Sequence, residues 1–173
     1  VDNTVDPDGG DDSTSLVALA AGEDRDDQDF GYRPLGSVGD TVFHDENGDG
    51  LFQPGEALAG IPVTLTWFGP DGNPGGGDDV VFNTATDAGG NYLFADLPPG
   101  NFTVTVTTAG TAISSLALVN TVDPDGGGNS TATFSLAPGQ DDLTKDFGYR
   151  RPANDKMYYV DIAGTGAGQF TVI

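Results

Sequence analysis

The sequence predicts an all-β protein, a two-sheet antiparallel sandwich of seven or eight strands. Three observations carry that prediction. β-branched and aromatic residues alternate with polar ones in short runs of five to eight residues. The runs are separated by stretches of Gly, Pro, Asn and Asp, with 27 Gly and 11 Pro in the 173 residues, which is the composition of tight turns. At that length, with 36% hydrophobic residues, the chain can bury one core of ordinary size with flanking pieces, but not two.

Self-comparison sets the boundaries of the elements. Residues 3–33 recur without a gap at 120–150, an offset of 117, and 19 of the 31 positions are identical. Each copy opens with NTVDPDGG and closes with DFGYR. Residues 1–34 therefore read as the C-terminal tail of a preceding, similar repeat, with β-like stretches at 13–20 and 28–33. Residues 35–150 read as one whole repeat, and 151–173 as a linker or the start of a different module. The sequence is expected to be an excerpt from an array.

Within the repeat, strands are expected at 37–43, 61–68, 79–85, 91–95, 101–108, 113–119, 130–136 and 144–150. Turn-forming Asp, Gly, Asn and Pro stretches between them favour a sandwich over a barrel or an α/β layer. The expected core comprises Phe43, Val63, Leu65, Trp67, Phe82, Tyr92, Phe94, Phe102, Val104, Val106, Phe134 and Phe147. Two more β-like segments stand at 156–162 and 168–173.

Charge narrows the function classes. The 27 Asp and Glu against 6 Lys and Arg give a formal net charge of −21, which repels phosphate backbones and anionic lipid. Nucleic acid and membrane insertion are thus not expected as partners. Such a charge opposes compaction unless cations are held or the medium is saline. The chain has no Cys, so disulfides and thiolate metal sites are unavailable. Serine-elbow, P-loop, HExxH and dinucleotide motifs are missing, and carboxylate pairs such as Asp78 with Asp79 carry no mark of catalysis. No enzyme is expected.

One motif carries chemistry. Residues 45–56, DENGDGLFQPGE, fit the twelve-residue loop D-x-[DN]-x-[DN]-G-x5-E at every required position. Asp45, Asn47 and Asp49 offer oxygens at alternate positions, Gly50 permits the sharp turn, Leu51 offers its carbonyl, Gln53 binds directly or through water, and Glu56 closes the shell. That donor set suits a hard cation, calcium above all. The flanking segments read as strands and Pro54-Gly55 disfavours a regular helix, so this is an EF-hand-like calcium loop set into a β fold without helices. Further sites are expected at Asp71, Asn73, Asp78 and Asp79, and at Asp123, Asp125 and Asn129, the latter matched upstream by Asp6, Asp8, Asp11 and Asp12. Oxygen-only donors again favour calcium over zinc or copper. His44 reads as a strand-end residue, and Asp40 as either a metal neighbour or a turn residue.

Together these residues resemble the SdrD B-like repeats of bacterial surface adhesins, relatives of the collagen-adhesin B-type domains. The resemblance rests on GSVGDTVFHDENGDGLFQPGEALAGIPVTL, TDAGGNYLFADLPPGNFTVTV and the closing DFGYR, within residues 36–150. It implies an antiparallel Greek-key sandwich of the immunoglobulin-like or transthyretin-like kind, bound to calcium, in a rigid extracellular stalk. By the same resemblance Asp45, Asn47, Asp49, Leu51, Gln53 and Glu56 are the ligands. Some collagen-adhesin relatives carry a Lys–Asn isopeptide crosslink. Here Lys145 and Lys156 both lie outside the first strand of the repeat, so metal is expected to replace the crosslink. The expected function is a calcium-stabilised spacer at a bacterial cell surface, its partners being neighbouring repeats. The alternative is a subunit of an extracellular filament that joins identical subunits by sharing strands.

Overall fold

The computed structural model of the chain describes residues 1–10 and 12–152. Its elements, in order, are β1 (Asp2–Val5), β2 (Gly31–Arg33), β3 (Gly36–His44), β4 (Pro62–Trp67), β5 (Val80–Ala85), β6 (Asn91–Leu97), β7 (Gly100–Val106), a single helical turn α1 (Ala112–Ser115), β8 (Val119–Val122), β9 (Thr131–Leu136), β10 (Asp141–Asp142) and β11 (Phe147–Arg150). No helix among the described residues is long and apolar enough to cross a membrane.

One sheet has the order β5-β4-β7-β9, antiparallel throughout. Val63, Leu65, Phe102, Val104 and Val106 are buried on its inner face. Their neighbours Thr64, Thr66, Thr103, Thr105, Thr131 and Thr133 take the alternate positions, the expected result of a period-two pattern on a half-solvated sheet. Trp67, Phe82 and Phe134 pack on the core while remaining partly exposed, and Phe134 stacks on Phe102 with ring centroids 5.8 Å apart.

The second sheet is organised around β3, which pairs antiparallel with β6 and parallel with both β10 and β11; β8 completes it beyond β11. Val38 and Val42 point into the core with Tyr92, Phe94, Phe147 and Tyr149. The chain passes repeatedly between the two sheets, as a Greek-key sandwich requires. Nine of the expected core residues, Phe43 among them, are buried. Phe43 lies outside the main cluster and meets Phe52 edge-on, with centroids 5.9 Å apart.

Three local readings are corrected. The parallel pairs β3–β10 and β3–β11 interrupt an otherwise antiparallel plan, and β10 itself was not foreseen. In place of a strand over 113–119, Thr111 caps the turn α1 by accepting from the Ile113 N–H, and the turn drives Ile113 into the core as a plug before β8 begins. Residues 14–20 form no strand. The tail instead pairs β1 with β2. The β-like segments at 156–162 and 168–173 lie outside the described residues, as does Asp11.

Candidate metal centre

The loop at residues 45–56 leaves the end of β3 and returns to pair with it. The His44 N–H donates to the Glu56 carbonyl at 2.7 Å, the Leu58 N–H to that of Val42 at 3.0 Å, and the Asp45 N–H to that of Tyr149 at 2.8 Å. Both ends of the loop are therefore fixed to β3 and β11. Gly48 and Gly50 each adopt a φ of 77°, the left-handed conformation that the tight winding demands. At Gly48 there is a second reason for glycine, because the Arg150 guanidinium fills the space a Cβ would take.

The loop side chains are organised inward. Asn47 Nδ2 donates to Asp49 Oδ2 at 3.0 Å and to Gln53 Oε1 at 3.1 Å, and the Gln53 amide also donates to Asp49. Asp45 Oδ1 accepts from the Gly48 N–H at 2.8 Å, and Asp49 Oδ1 from the Leu51 N–H at 2.9 Å. Glu56 reaches back across the loop, taking the Glu46 N–H on Oε1 at 3.1 Å and the Gln53 N–H on Oε2 at 2.9 Å.

Asp45 is 2% exposed and Glu56 8%, yet among the described residues neither is paired with a basic side chain. Two buried carboxylates at the first and last positions of an oxygen-lined loop are expensive without a cation. The donor set, carboxylate and amide oxygens with no sulfur or imidazole, fits a hard divalent ion. Leu51 contributes no side-chain donor and is exposed. The carboxylates of Asp45, Asp49 and Glu56 are not drawn into one tight trio.

The second group lies in the β4–β5 connection. Asp71 Oδ1 accepts from the Asn73 N–H at 2.8 Å, Asp78 Oδ2 receives the Asp71 N–H at 3.4 Å, and Asp79 Oδ2 accepts from the Gly75 N–H at 2.8 Å. Asp79 Oδ1 is buried without a partner.

The third group follows β8. Asp123 Oδ2 accepts from the N–H groups of Asn129 and Ser130, both at 3.1 Å, while Asp125 Oδ1 takes that of Gly127 and Asn129 Oδ1 that of Thr131, both at 3.0 Å. Burial, with Asp125 alongside, pushes the Asp123 carboxyl up; the Gly127 N–H holds Asp125 down. The upstream copy repeats three of these four bonds at the same positions: Ser13 N–H to Asp6, Gly10 N–H to Asp8, Thr14 N–H to Asp12. The unpartnered buried oxygens repeat too, on Asn3 and Asp6 in one copy and Asn120 and Asp123 in the other. Oxygens of Asp6, Asp8 and Asp12 all lie within 4.8 Å of one another.

An acidic cluster that sequence reading did not assemble sits where β10 gives way to β11. Asp146 interrupts the parallel ladder, and its Oδ1 accepts from the Thr41 N–H at 3.1 Å and from the Thr41 hydroxyl. Asp40, flagged in sequence as a metal neighbour or a turn residue, stands instead within β3, opposite Tyr92. Burial and the negative charge of Asp146 push its carboxyl up to about 6. Burial also works against ionising Asp142, but Lys145, 2.7 Å away, prevails and holds it low. Only the parallel pairing brings 40 beside 142 and 146, and nothing in the alternation signals it. His44 ends β3, as expected, and lines a shallow pocket with Glu46, Arg150 and Arg151.

Comparison with known proteins decides the family, since the SdrD B-like domain matches residues 36–149. The chain belongs to the SdrD B-like domain family. Serine-aspartate repeat-containing protein D of Staphylococcus aureus strain Newman is 32% identical over 150 residues, covering 84% of this chain and 11% of that protein. Serine-aspartate repeat-containing protein E of strain Mu50 is 30% identical over 164 residues, 92% of this chain and 14% of the relative. The chain thus spans little more than a tenth of these curated relatives. Among solved structures, the minor pilin GBS52 of Streptococcus agalactiae aligns with a TM-score of 0.42 at 10% identity, covering 72% of this chain and 48% of the pilin. The major pilin SpaD of Corynebacterium diphtheriae gives 0.43 at 14% identity, with coverages of 68% and 32%. These SdrD B-like features match the family that the sequence motifs resembled.

Proposed function

We propose that residues 35–150 are a calcium-stabilised structural repeat of a bacterial extracellular or cell-surface protein, a spacer in a stalk with no catalytic role. The observation that carries this reading is the pair of buried carboxylates, Asp45 and Glu56, which close an oxygen-lined loop without a basic partner among the described residues. Asp45, Asn47, Asp49, Leu51 through its carbonyl, Gln53 and Glu56 would hold the principal ion. Bound there, calcium supplies charge neutralisation and a link between the start and the end of the loop. The chain's own bonds do the rest: His44 to Glu56 and Asp45 to Tyr149 transmit the fixed loop to β3 and β11.

Asp71, Asn73, Asp78 and Asp79 would hold a second ion, and Asp123, Asp125 and Asn129 a third. The buried, unpartnered oxygens of Asp79 and Asp123 support both. The alternative, a filament subunit that shares strands, draws support from the exposed side chains of Val5 and Tyr32 on the pair β1–β2.

Calorimetric titration of the chelator-treated protein with calcium tests the assignment. A Glu56→Gln variant should lose the tightest binding event, by at least tenfold in affinity, while keeping the fold as judged by circular dichroism. Unchanged affinity in that variant would remove the loop from the reading.

A further inference from the structure

The loop at residues 45–56 contains a reactive dipeptide that ion binding does not account for. Among the described residues the exposed asparagines are Asn47, Asn73, Asn83, Asn91, Asn101 and Asn129. They are followed by Gly48, Pro74, Thr84, Tyr92, Phe102 and Ser130. An asparagine loses its side-chain amide when the next backbone nitrogen attacks Cγ. Proline has no N–H to give, a side chain on the attacking residue hinders the approach, and glycine leaves it open. Asn83, Asn91 and Asn101 are held in β5, β6 and β7 besides. Asn47 alone of the six combines an exposed loop with a glycine after it.

The fold surrounds that dipeptide with the groups such an attack needs. The Gly48 N–H donates to Asp45 Oδ1 at 2.8 Å, within reach for proton transfer to a buried carboxylate. Negative charge develops on Asn47 Oδ1 as nitrogen adds to Cγ, and that oxygen accepts from the Asp49 N–H at 2.9 Å. The Arg150 guanidinium, reaching over from β11, fills the side of Gly48 that a Cβ would take and sets a positive charge beside the reacting atoms. Asn47 Nδ2, the atom that must leave, is oriented by Asp49 Oδ2 at 3.0 Å and Gln53 Oε1 at 3.1 Å.

From this arrangement we infer that Asn47 is a site of autocatalytic deamidation, promoted by Asp45 and Arg150. The Gly48 nitrogen bonds to Asn47 Cγ as its proton passes to Asp45 Oδ1. That proton then goes to Nδ2, the Cγ–Nδ2 bond breaks, and ammonia leaves a cyclic succinimide. Water opens the ring at either carbonyl, giving aspartate or isoaspartate at position 47. Aspartate puts an oxygen where a donor faced Asp49 Oδ2 and Gln53 Oε1, so the metal-free loop gains repulsion and its demand for a cation grows. Isoaspartate routes the main chain through Cγ, adds a carbon between the Asp45 and Asp49 positions and breaks the spacing of the loop. The chemistry uses the loop's own atoms; its gating rests on the calcium reading above. A cation that holds Asp45 takes the base away from Gly48, so the occupied loop is protected and the empty one ages.

The test is incubation of the whole chain at neutral pH in chelator, in saturating calcium and in urea, followed by peptide mapping with fragmentation that separates aspartate from isoaspartate. In chelator, conversion at Asn47 should exceed that at each of the other exposed asparagines at least tenfold, with both products present. Asp45→Asn keeps an acceptor for the Gly48 N–H but cannot take its proton. It should slow conversion at least fivefold in the folded chain and leave it unchanged in urea, where sequence alone sets the rate. Arg150→Gln, outside the loop, should slow the folded chain at least twofold and decides the matter if the first variant does not fold. Conversion at Asn47 no faster than elsewhere, or folded-state rates that neither variant changes, would overturn the inference. Calcium should slow conversion in the wild type at least tenfold. Conversion that follows the chelator and variant results but is undiminished in calcium would uphold the modification and contradict the calcium reading alone.

Discussion

Replacing Asp40 by Asn removes a carboxyl that the fold makes hard to ionise. Asp40 lies within β3, facing Asp146 and Asp142, with Tyr92 paired opposite and with Lys145 engaged by Asp142. Its carboxyl moves from 3.8 to about 6 on folding. Each tenfold change in proton affinity is worth about 1.4 kcal/mol, which gives roughly 3 kcal/mol as an upper bound. Because the group is partly open to water, screening reduces that to about 1–2 kcal/mol. The sign follows from proton linkage. Between pH 4 and 6 the folded state binds more protons than the unfolded one, so stability falls as pH rises through this window and the full penalty is present above it. Asp40→Asn should therefore match the wild type near pH 4 and exceed it by about 1–2 kcal/mol at pH 7. Urea unfolding of both proteins at pH 4, 5, 6 and 7, in saturating calcium, measures the difference. A gap that is independent of pH, or a variant less stable at pH 7, would refute the electrostatic account of the parallel junction.

Other substitutions probe packing and turn geometry. Leu65→Ala, at a fully buried site between Phe82 and Val104 in the central strand, should lose about 2–5 kcal/mol in chemical denaturation. Thr86→Val should lose about 1–3 kcal/mol, because the Thr86 hydroxyl donates to the Leu58 carbonyl at 2.6 Å and accepts from the Ile61 N–H at 2.9 Å in a buried site. Gly48→Ala combines a left-handed φ with displacement of Arg150; the metal-free melting temperature should fall by a few degrees, and calorimetric titration should show calcium affinity weakened at least tenfold.

Much of the sandwich was legible because period-two alternation is a local signal. Residues 62–67 and 100–106 declare both strand and inner face, since Val, Leu and Phe alternate there with Thr. The loop at 45–56 was legible as a tight loop between two strands for a similar reason: Asp, Asn and Gly stand at fixed spacings within twelve residues. Partner choice across the chain was not. That β10 and β11 run parallel to β3 depends on contacts about a hundred residues apart, and the Asp40–Asp146 encounter exists only through that pairing. Residues 113–119 misled because an apolar run of that length fits either a strand or a helical turn. Thr111 and the burial of Ile113 decided between them. Core positions in less regular segments, such as Leu58, Ile61 and Leu118, escaped because the period there is broken by turns.

The central claim is that a cation at Asp45–Glu56 holds this acidic sandwich together. Thermal unfolding in calcium, in excess chelator and in magnesium at matched ionic strength tests it most directly. Binding restricted to the folded state contributes about 2.7 kcal/mol per site at a hundredfold excess over Kd. For a domain of this size that raises the midpoint by about 10 °C for one site, and by more if the Asp79 and Asp123 groups also fill. A large rise specific to calcium, abolished by Glu56→Gln, is the predicted result. Equal midpoints in calcium, chelator and magnesium would contradict the account and leave the fold stabilised by its packing and by salt alone.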